Sequence, residues 1–127
     1  MTENQIATLI VDRALKIHRT LGPGLLESVY EATLAYELTK CGLQVRTQQR
    51  VPVIYEAVKL DLGFRPDIII DKKVIVEVKS IEAIAPVHRK QLETYLRLMG
   101  MHLGLLINFN AELIKHGIQR VVNRLPE

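Results

Sequence analysis

A chain of 127 residues, 48% hydrophobic and 24% charged, can bury roughly two-thirds of its unfolded surface, so we predict one folded domain over residues 1–127 and exclude a disordered chain. Because Cys41 is the single cysteine, an internal disulfide and a multi-cysteine zinc site are excluded. The sequence has neither an apolar run of roughly 20 residues nor a signal pattern, which predicts a cytoplasmic protein with no membrane partner. The 17 Lys and Arg against 14 Asp and Glu give a formal net charge of +3, which permits a nucleic-acid partner, although no long basic block argues for one.

Two helices begin the chain. Apolar residues recur at the spacing of one helical face over residues 3–21, where Thr2 and Gln5 have the spacing of a capping box. The breakers Gly22-Pro23-Gly24 end this helix, and a second helix is predicted from about Leu25 to Lys40. The predicted inward face of the second helix comprises Leu26, Val29, Tyr30, Leu34 and Leu38.

A run of strands follows the second helix. From Leu43 the pattern changes to short alternating stretches of β-forming residues, which are interrupted by a turn at Glu56-Ala57. Two compact apolar strands, over residues 67–70 and 74–79, are joined by the polar turn Asp71-Lys72-Lys73.

The chain ends in a third helix and two more strands. Pro86 opens the helix and Gly100 ends it, and its predicted buried stripe is Leu92, Tyr95, Leu96 and Met99. The nearly continuous apolar run 103–107 is typical of a strand covered on both faces, and residues 118–122 are predicted as an edge strand. The order ααβββαββ predicts an α/β fold in which helices flank a mixed central β-sheet.

The strand over residues 74–79 carries two charges on one face. Because side chains alternate in direction along a strand, Glu77 and Lys79 share the face opposite to the valines. Burying either charge unpaired costs several kcal/mol, so the two charges need a partner. One explanation is purely structural, an ion pair between Glu77 and Lys79 with no bound cation.

The length of the preceding turn decides where Asp67 points. If the loop has two residues, Asp67 faces Val76 and lies on the wrong side of the sheet. If residues 71–73 all form the loop, Asp67 lies opposite Glu77 with the Cβ atoms about 5 Å apart. We predict the three-residue loop; the alternative for Asp67 is a solvated acid at a strand end.

Two carboxylates at this separation repel by about 4 kcal/mol at an effective dielectric of 20. A cation or a shared proton neutralises such a pair, and hard oxygen ligands suit Mg²⁺ or Mn²⁺. Lys79 beside them could orient or help deprotonate a water on the metal, or stabilise developing negative charge. This combination predicts hydrolysis of a phosphodiester.

Three features outside the strands fit the same site. Glu27 lies in the first turn of the second helix, where the helix dipole also favours a carboxylate, and Glu31 one turn later is the competing candidate. Gln91 and Tyr95 share a face of the third helix. The alternatives are core packing for Tyr95 and an ordinary surface amide for Gln91.

Four elements follow one another along the chain: Gly24-x-x-Glu27-x-x-Tyr30, Pro66-Asp67, Glu77-Val78-Lys79 and Gln91-x-x-x-Tyr95. Together they resemble the GxxExxY family of small bacterial proteins, which belongs to the PD-(D/E)xK nuclease superfamily. They are also similar to the motifs of RecB-type nuclease domains. The resemblance runs from about residue 5 to residue 124. It implies a restriction-endonuclease-like fold in which Glu27, Asp67 and Glu77 hold Mg²⁺, with Mn²⁺ as a substitute. It also implies that Lys79 is the catalytic lysine and that Gln91 and Tyr95 position the site or contact nucleic acid.

The first functional hypothesis is therefore a Mg²⁺-dependent nuclease that acts on DNA. The second is a nucleic-acid- or protein-binding module that keeps the nuclease fold without turnover. A homodimer is a further prediction, by analogy with junction resolvases of the superfamily, because one active site needs a second copy to cut two strands at once.

Overall fold

The computed structural model of the protein describes residues 1–126, the side chain of Leu62 excepted. Glu127, the last residue of the predicted domain, lies outside the described residues. In chain order the elements are α1 (Glu3–Leu21), α2 (Glu27–Lys40), β1 (Val45–Thr47), β2 (Val51–Tyr55), β3 (Val58–Phe64), β4 (Ile68–Ile70), β5 (Val74–Lys79), α3 (Pro86–Met99), β6 (Leu103–Asn108), a 3₁₀ turn (Ile114–His116) and β7 (Ile118–Val122).

The first helix agrees with the sequence pattern. The Thr2 hydroxyl accepts a hydrogen bond from the Gln5 backbone N–H (3.2 Å), and the Gln5 side chain accepts one from the Thr2 N–H (2.9 Å). This is the predicted capping box. Gly22, whose φ of 70° suits a residue without a Cβ, follows the last helical residue.

Part of the predicted inward face of α2 is wrong. Tyr30, Leu34 and Leu38 are buried, but Leu26 is 74% exposed and Val29 is 39% exposed. The helix begins two residues later than predicted, so Leu26 is an extended cap residue outside the helical phase. Val29 lies about 100° around the helix from Tyr30, outside the stripe that recurs every four residues.

Within the described residues the main sheet has five strands in the order β1-β4-β5-β6-β7. All neighbours are antiparallel except β5 and β6, which are parallel and are joined by α3 as the crossover helix. Every residue of β6 is buried, as predicted for a strand covered on both faces, and β7 is the predicted edge strand.

The predicted order ααβββαββ has too few strands. Residues 41–85, all described, form five strands between α2 and α3 rather than three. The chain turns in left-handed conformations at Gln48 (φ 52°) and at Glu56 (φ 55°), the latter in the predicted turn. These turns isolate β2 and β3 as a hairpin that forms its own two-stranded sheet. The fold class, a mixed sheet between helices, is as predicted.

Each face of the main sheet packs against different helices. The valines of β5 belong to the cluster that includes α1 and α2, whereas Ile75 packs with Leu92 and Leu96 of α3. Because strand side chains alternate, Glu77 and Lys79 share the α3 face with Ile75. The fold therefore carries the two charges of β5 to the side of the sheet that α3 covers.

No helix within residues 1–126 combines the length and the apolar composition that crossing a membrane requires.

Candidate functional site

The register of β4 and β5 confirms the predicted three-residue loop. Ile68 pairs with Val76 and Ile70 with Val74, so the loop consists of residues 71–73. Continuing this register by one residue sets Asp67 opposite Glu77. Both acids therefore lie on the α3 face, which is the arrangement that the functional hypothesis requires.

Backbone hydrogen bonds tie the two acids to each other's strands. The Asp67 N–H donates to Glu77 Oε2 (3.0 Å), and the Val78 N–H donates to Asp67 Oδ2 (2.8 Å). Each carboxylate is therefore held by the main chain of the neighbouring segment, which fixes its orientation without neutralising its charge.

Burial makes the charged form of this pair costly. Glu77 is only 4% exposed, and burial together with the negative charge of Asp67 raises the pKa of Glu77 to about 8. The positive charge of Lys79 acts in the opposite direction and does not offset these two effects. Without a cation, the acid pair therefore holds a proton at neutral pH.

The purely structural explanation of the two charges on β5 was an ion pair between Glu77 and Lys79. Among the ion pairs of the described residues, none joins Glu77 to Lys79. Lys79 is half-buried on the same face, within electrostatic reach of Glu77 but not in an ion pair with it. The ion-pair explanation of these two charges is therefore wrong.

Glu31, the competing candidate on α2, stands beside Asp67. The side-chain amide of Gln48 donates to Glu31 Oε1 (2.8 Å) and to Asp67 Oδ1 (3.1 Å), so it bridges the two acids. Partial burial, and after it the nearby charges of Asp67 and Glu27, raise the pKa of Glu31. Glu31 therefore lies close enough to Asp67 to add to its negative potential, and Glu27 in turn lies close enough to Glu31 to affect it.

Gln48 is a site residue that the sequence did not suggest. Its backbone N–H donates to the Asp67 carbonyl (3.0 Å), and its φ of 52° is unusual for a residue with a side chain. In the sequence it belongs to a polar stretch, Gln48-Gln49-Arg50, that carries no motif. A left-handed residue cannot be recognised there because glutamine does not favour that conformation.

Glu27 is exposed at the start of α2 and lines a cavity of about 540 Å³ with Ser80 and Asn110. The structure gives it no hydrogen bond to Asp67 or Glu77 within the described residues. Its role as a metal ligand stays a prediction, with Glu31 as the competitor.

Tyr30 fixes the loop from which α2 emerges. Its hydroxyl donates to the Gly22 carbonyl (2.5 Å) and accepts from the Leu25 N–H (3.1 Å), while its ring stacks on Phe109 at 4.6 Å between centroids. The Ser80 hydroxyl, just after β5, donates to the Leu25 carbonyl (2.6 Å). The tyrosine of Gly24-x-x-Glu27-x-x-Tyr30 therefore holds the loop that precedes the acids of α2.

Tyr95 lies beside the acid pair and in the core at once. Burial and then the charges of Glu77 and Asp67 raise the pKa of Tyr95, and its ring stacks on Phe64 of the hairpin at 4.4 Å. Gln91 is exposed one helical turn earlier. Its positioning role stays a prediction.

The donor set fits a hard divalent cation that keeps open coordination positions. Within residues 1–126 no three or more His, Cys, Asp or Glu side chains are gathered closely enough to hold a metal ion, so the predicted three-acid cluster is not preformed. Mg²⁺ usually keeps several waters and binds through one or two carboxylates plus substrate phosphates. The half-buried Asp67 and the buried Glu77, whose shared negative charge needs a proton or a cation, are two carboxylates of the kind that such an ion requires.

A family model of the PD-(D/E)XK nuclease superfamily matches residues 4–121, nearly the whole chain. Members of this superfamily generally use divalent metal ions. No curated protein and no solved structure matches the chain significantly. The narrower resemblance to the GxxExxY family stays a prediction.

Proposed function

The chain belongs to the PD-(D/E)XK nuclease superfamily, and on that premise we propose that it hydrolyses phosphodiester bonds in DNA with Mg²⁺ as its cofactor. The observation that carries the proposal is the pairing of the buried Glu77 with the half-buried Asp67, because Glu77 is costly to keep charged beside Asp67 without a cation. Acids with strongly perturbed pKa values cluster at functional sites, and a metal-dependent hydrolase uses carboxylates of this kind to hold its cation.

In this proposal Asp67 and Glu77 hold Mg²⁺ or its substitute Mn²⁺, and Glu27 completes the set, with Glu31 as the competing third acid. The bound ion supplies a water activated for attack and a counter-charge for the phosphate. The Lys79 ammonium, on the same sheet face as Glu77, stabilises the negative charge that develops on the phosphate oxygens. Gln91 and Tyr95 position the substrate from α3.

The test is a cleavage panel of single-stranded, duplex, flapped and branched DNA, and RNA, each with Mg²⁺, Mn²⁺ or EDTA. We expect metal-dependent cleavage of DNA, and about a 10²–10³-fold loss in Asp67→Asn, Glu77→Gln and Lys79→Met. Glu82→Gln, an exposed acid in the loop after β5, is the matched control. Unchanged cleavage in the Asp67→Asn/Glu77→Gln double variant would refute the proposal.

Calorimetric titration with Mn²⁺ and Mg²⁺ tests the metal site separately from activity. We expect binding to the unaltered protein and none to the double variant. Glu27→Gln and Glu31→Gln, compared side by side, identify the third acid as the one whose loss weakens binding. Salt-dependent DNA binding without cleavage or metal binding would instead favour the silent binding module.

A homodimer would supply the second active site that cutting both strands at once requires. We propose it on that ground only, and sedimentation equilibrium with and without DNA measures it.

A further inference from the structure

A cationic groove lies beside the acid pair. The cavity has a volume of about 440 Å³ and is lined by Arg46, Gln49, Ile69, Lys72, Met99 and Met101. No lining residue is acidic.

The groove shares the sheet face of the acid pair. Arg46 of β1 pairs with Ile69 of β4, which lies two residues after Asp67 and points to the same side. At about 3.3 Å per residue, this places the Arg46–Ile69 position about 7 Å along the strands from the pair. Lys72 follows in the turn between β4 and β5, so the cations continue away from the carboxylates in one direction.

The third helix forms the other wall in the same order. Met99, in the groove, lies one turn after Tyr95, whose hydroxyl responds to the charges of the acid pair. The groove and the acid pair therefore follow one another along β4 and along α3, on the same face of the sheet.

The two cations of the groove are available to a ligand. Arg46 and Lys72 are exposed, and within residues 1–126 neither takes part in an ion pair. Lys73, in the same turn, differs because its ammonium donates to the Met1 carbonyl (2.6 Å). The floor between the cations, Ile69, Met99 and Met101, is apolar, and methionine adapts to irregular flat partners such as a sugar or a base.

We propose that this groove binds the phosphodiester backbone of the DNA strand adjacent to the phosphate that is cleaved, with Arg46 and Lys72 each contacting one phosphate. The inference rests on the proposed function and deepens it. A spacing of about 7 Å corresponds to about two nucleotide rises along one strand, so a phosphate at the metal site leaves the next phosphates within reach of the groove. The arginine can bind phosphate through two parallel N–H bonds, which adds geometric specificity to the contact.

Binding without turnover tests the groove. Fluorescence anisotropy of a labelled single-stranded DNA is measured in EDTA over a series of salt concentrations, for the unaltered protein, Arg46→Gln, Lys72→Gln and the double variant. Each lost phosphate contact lowers the slope of log K against log salt by about 0.7 on single strands, so we expect a decrease of about 1.4 in the double variant. We also expect roughly tenfold weaker binding at low salt.

Lys73→Gln is the matched control, since it removes the same charge from the same turn but outside the groove. In cleavage assays, Arg46→Gln and Lys72→Gln should raise KM and leave kcat unchanged, because the groove does not touch the reacting atoms. A structural role in the turn would instead lower the stability of the variants, which thermal unfolding reports.

The outcomes separate the two proposals. If the groove variants bind and cleave like Lys73→Gln while the unaltered protein is an active nuclease, the groove proposal is overturned and the proposed function stands. If the unaltered protein binds DNA through Arg46 and Lys72 but cleaves nothing in the panel, the groove stands and the proposed activity fails. If it binds no DNA at all, the groove proposal is overturned as well.

Discussion

Replacing Glu77 by glutamine should stabilise the metal-free protein at alkaline pH. The substitution keeps an oxygen that can accept the hydrogen bond from the Asp67 N–H, and it removes a carboxyl group whose charged form is disfavoured by burial and by Asp67. The change in shape is small, so the effect on stability comes mainly from the charge.

The magnitude follows from the raised pKa of Glu77. Between its ordinary value of 4.5 and about 8, the folded protein holds a proton that the unfolded chain has released. The free energy of unfolding of the metal-free protein therefore falls as the pH rises through this window. At about 1.4 kcal/mol per pKa unit, the loss amounts to about 5 kcal/mol at most, and about two-thirds of it has occurred by pH 7.

Urea unfolding in EDTA at pH 5, 7 and 9 measures the effect. At pH 5 the unaltered protein and Glu77→Gln should differ little, whereas at pH 9 the variant should be more stable by about 3–5 kcal/mol. Glu82→Gln, which removes an exposed carboxylate, should follow the unaltered protein at every pH. If the free energies of unfolding of Glu77→Gln and the unaltered protein differ by the same amount from pH 5 to pH 9, the reasoning is refuted.

Magnesium should narrow this difference in stability. At a concentration of 100 times its dissociation constant, a ligand that binds only the folded state stabilises it by about 2.7 kcal/mol. We expect this gain at pH 8 for the unaltered protein and none for Glu77→Gln. The same substitution therefore distinguishes the stability of the fold from the ability of the site to bind the metal ion.

Three further substitutions test how the fold supports the site. Gly104→Ala should destabilise the protein by about 1–3 kcal/mol in urea unfolding, because an added Cβ would lie 2.9 Å from the Leu92 side chain of α3. Tyr30→Phe should cost about 1–3 kcal/mol by the same measurement, and should reduce cleavage more than Gly104→Ala does, since its hydroxyl holds the loop before α2. Phe64→Ala removes the ring that stacks on Tyr95, so hydrogen exchange should accelerate in the β2–β3 hairpin and stay unchanged in β5.

The sequence predicted the elements whose periodicity is long or whose ends carry chemical signals. The first helix has a capping box and a Gly-Pro-Gly stop, and α3 begins at Pro86 and ends before Gly100. The strands of the central sheet next to α3 are continuous apolar runs. By contrast, β1 has three residues, too few for a pattern, and the hairpin was not separated from it because the left-handed turn at Gln48 has no distinctive sequence, whereas the turn at Glu56-Ala57 was predicted.

The acid pair was predictable because strand geometry reduces the problem to counting. The alternation of side chains reduced the question to two turn lengths, and the choice of the three-residue turn, which the pairing of Ile68 with Val76 confirms, placed Asp67 opposite Glu77. The contact of Asp67 with Gln48, which also links it to Glu31, was not predictable, because it depends on the path of the chain after β1 rather than on any local pattern. The exposure of Leu26 was missed for a related reason, because the exact start of a helix decides which residues share its phase.

The raised pKa of Glu77 also sets how the cofactor must bind. Below about pH 8 a proton occupies the pair, and a cation has to displace it, so the apparent affinity for Mg²⁺ decreases by up to about tenfold for each pH unit below that value. In the proposed complex, Arg46 and Lys72, on the same face, would attract the phosphates of a strand, and these would bring additional oxygen ligands to the cation. If the proposed function holds, Asp67 and Glu77 bind the cation in the free protein and the phosphates of bound DNA add oxygen ligands, so we expect tighter Mg²⁺ binding in the presence of DNA.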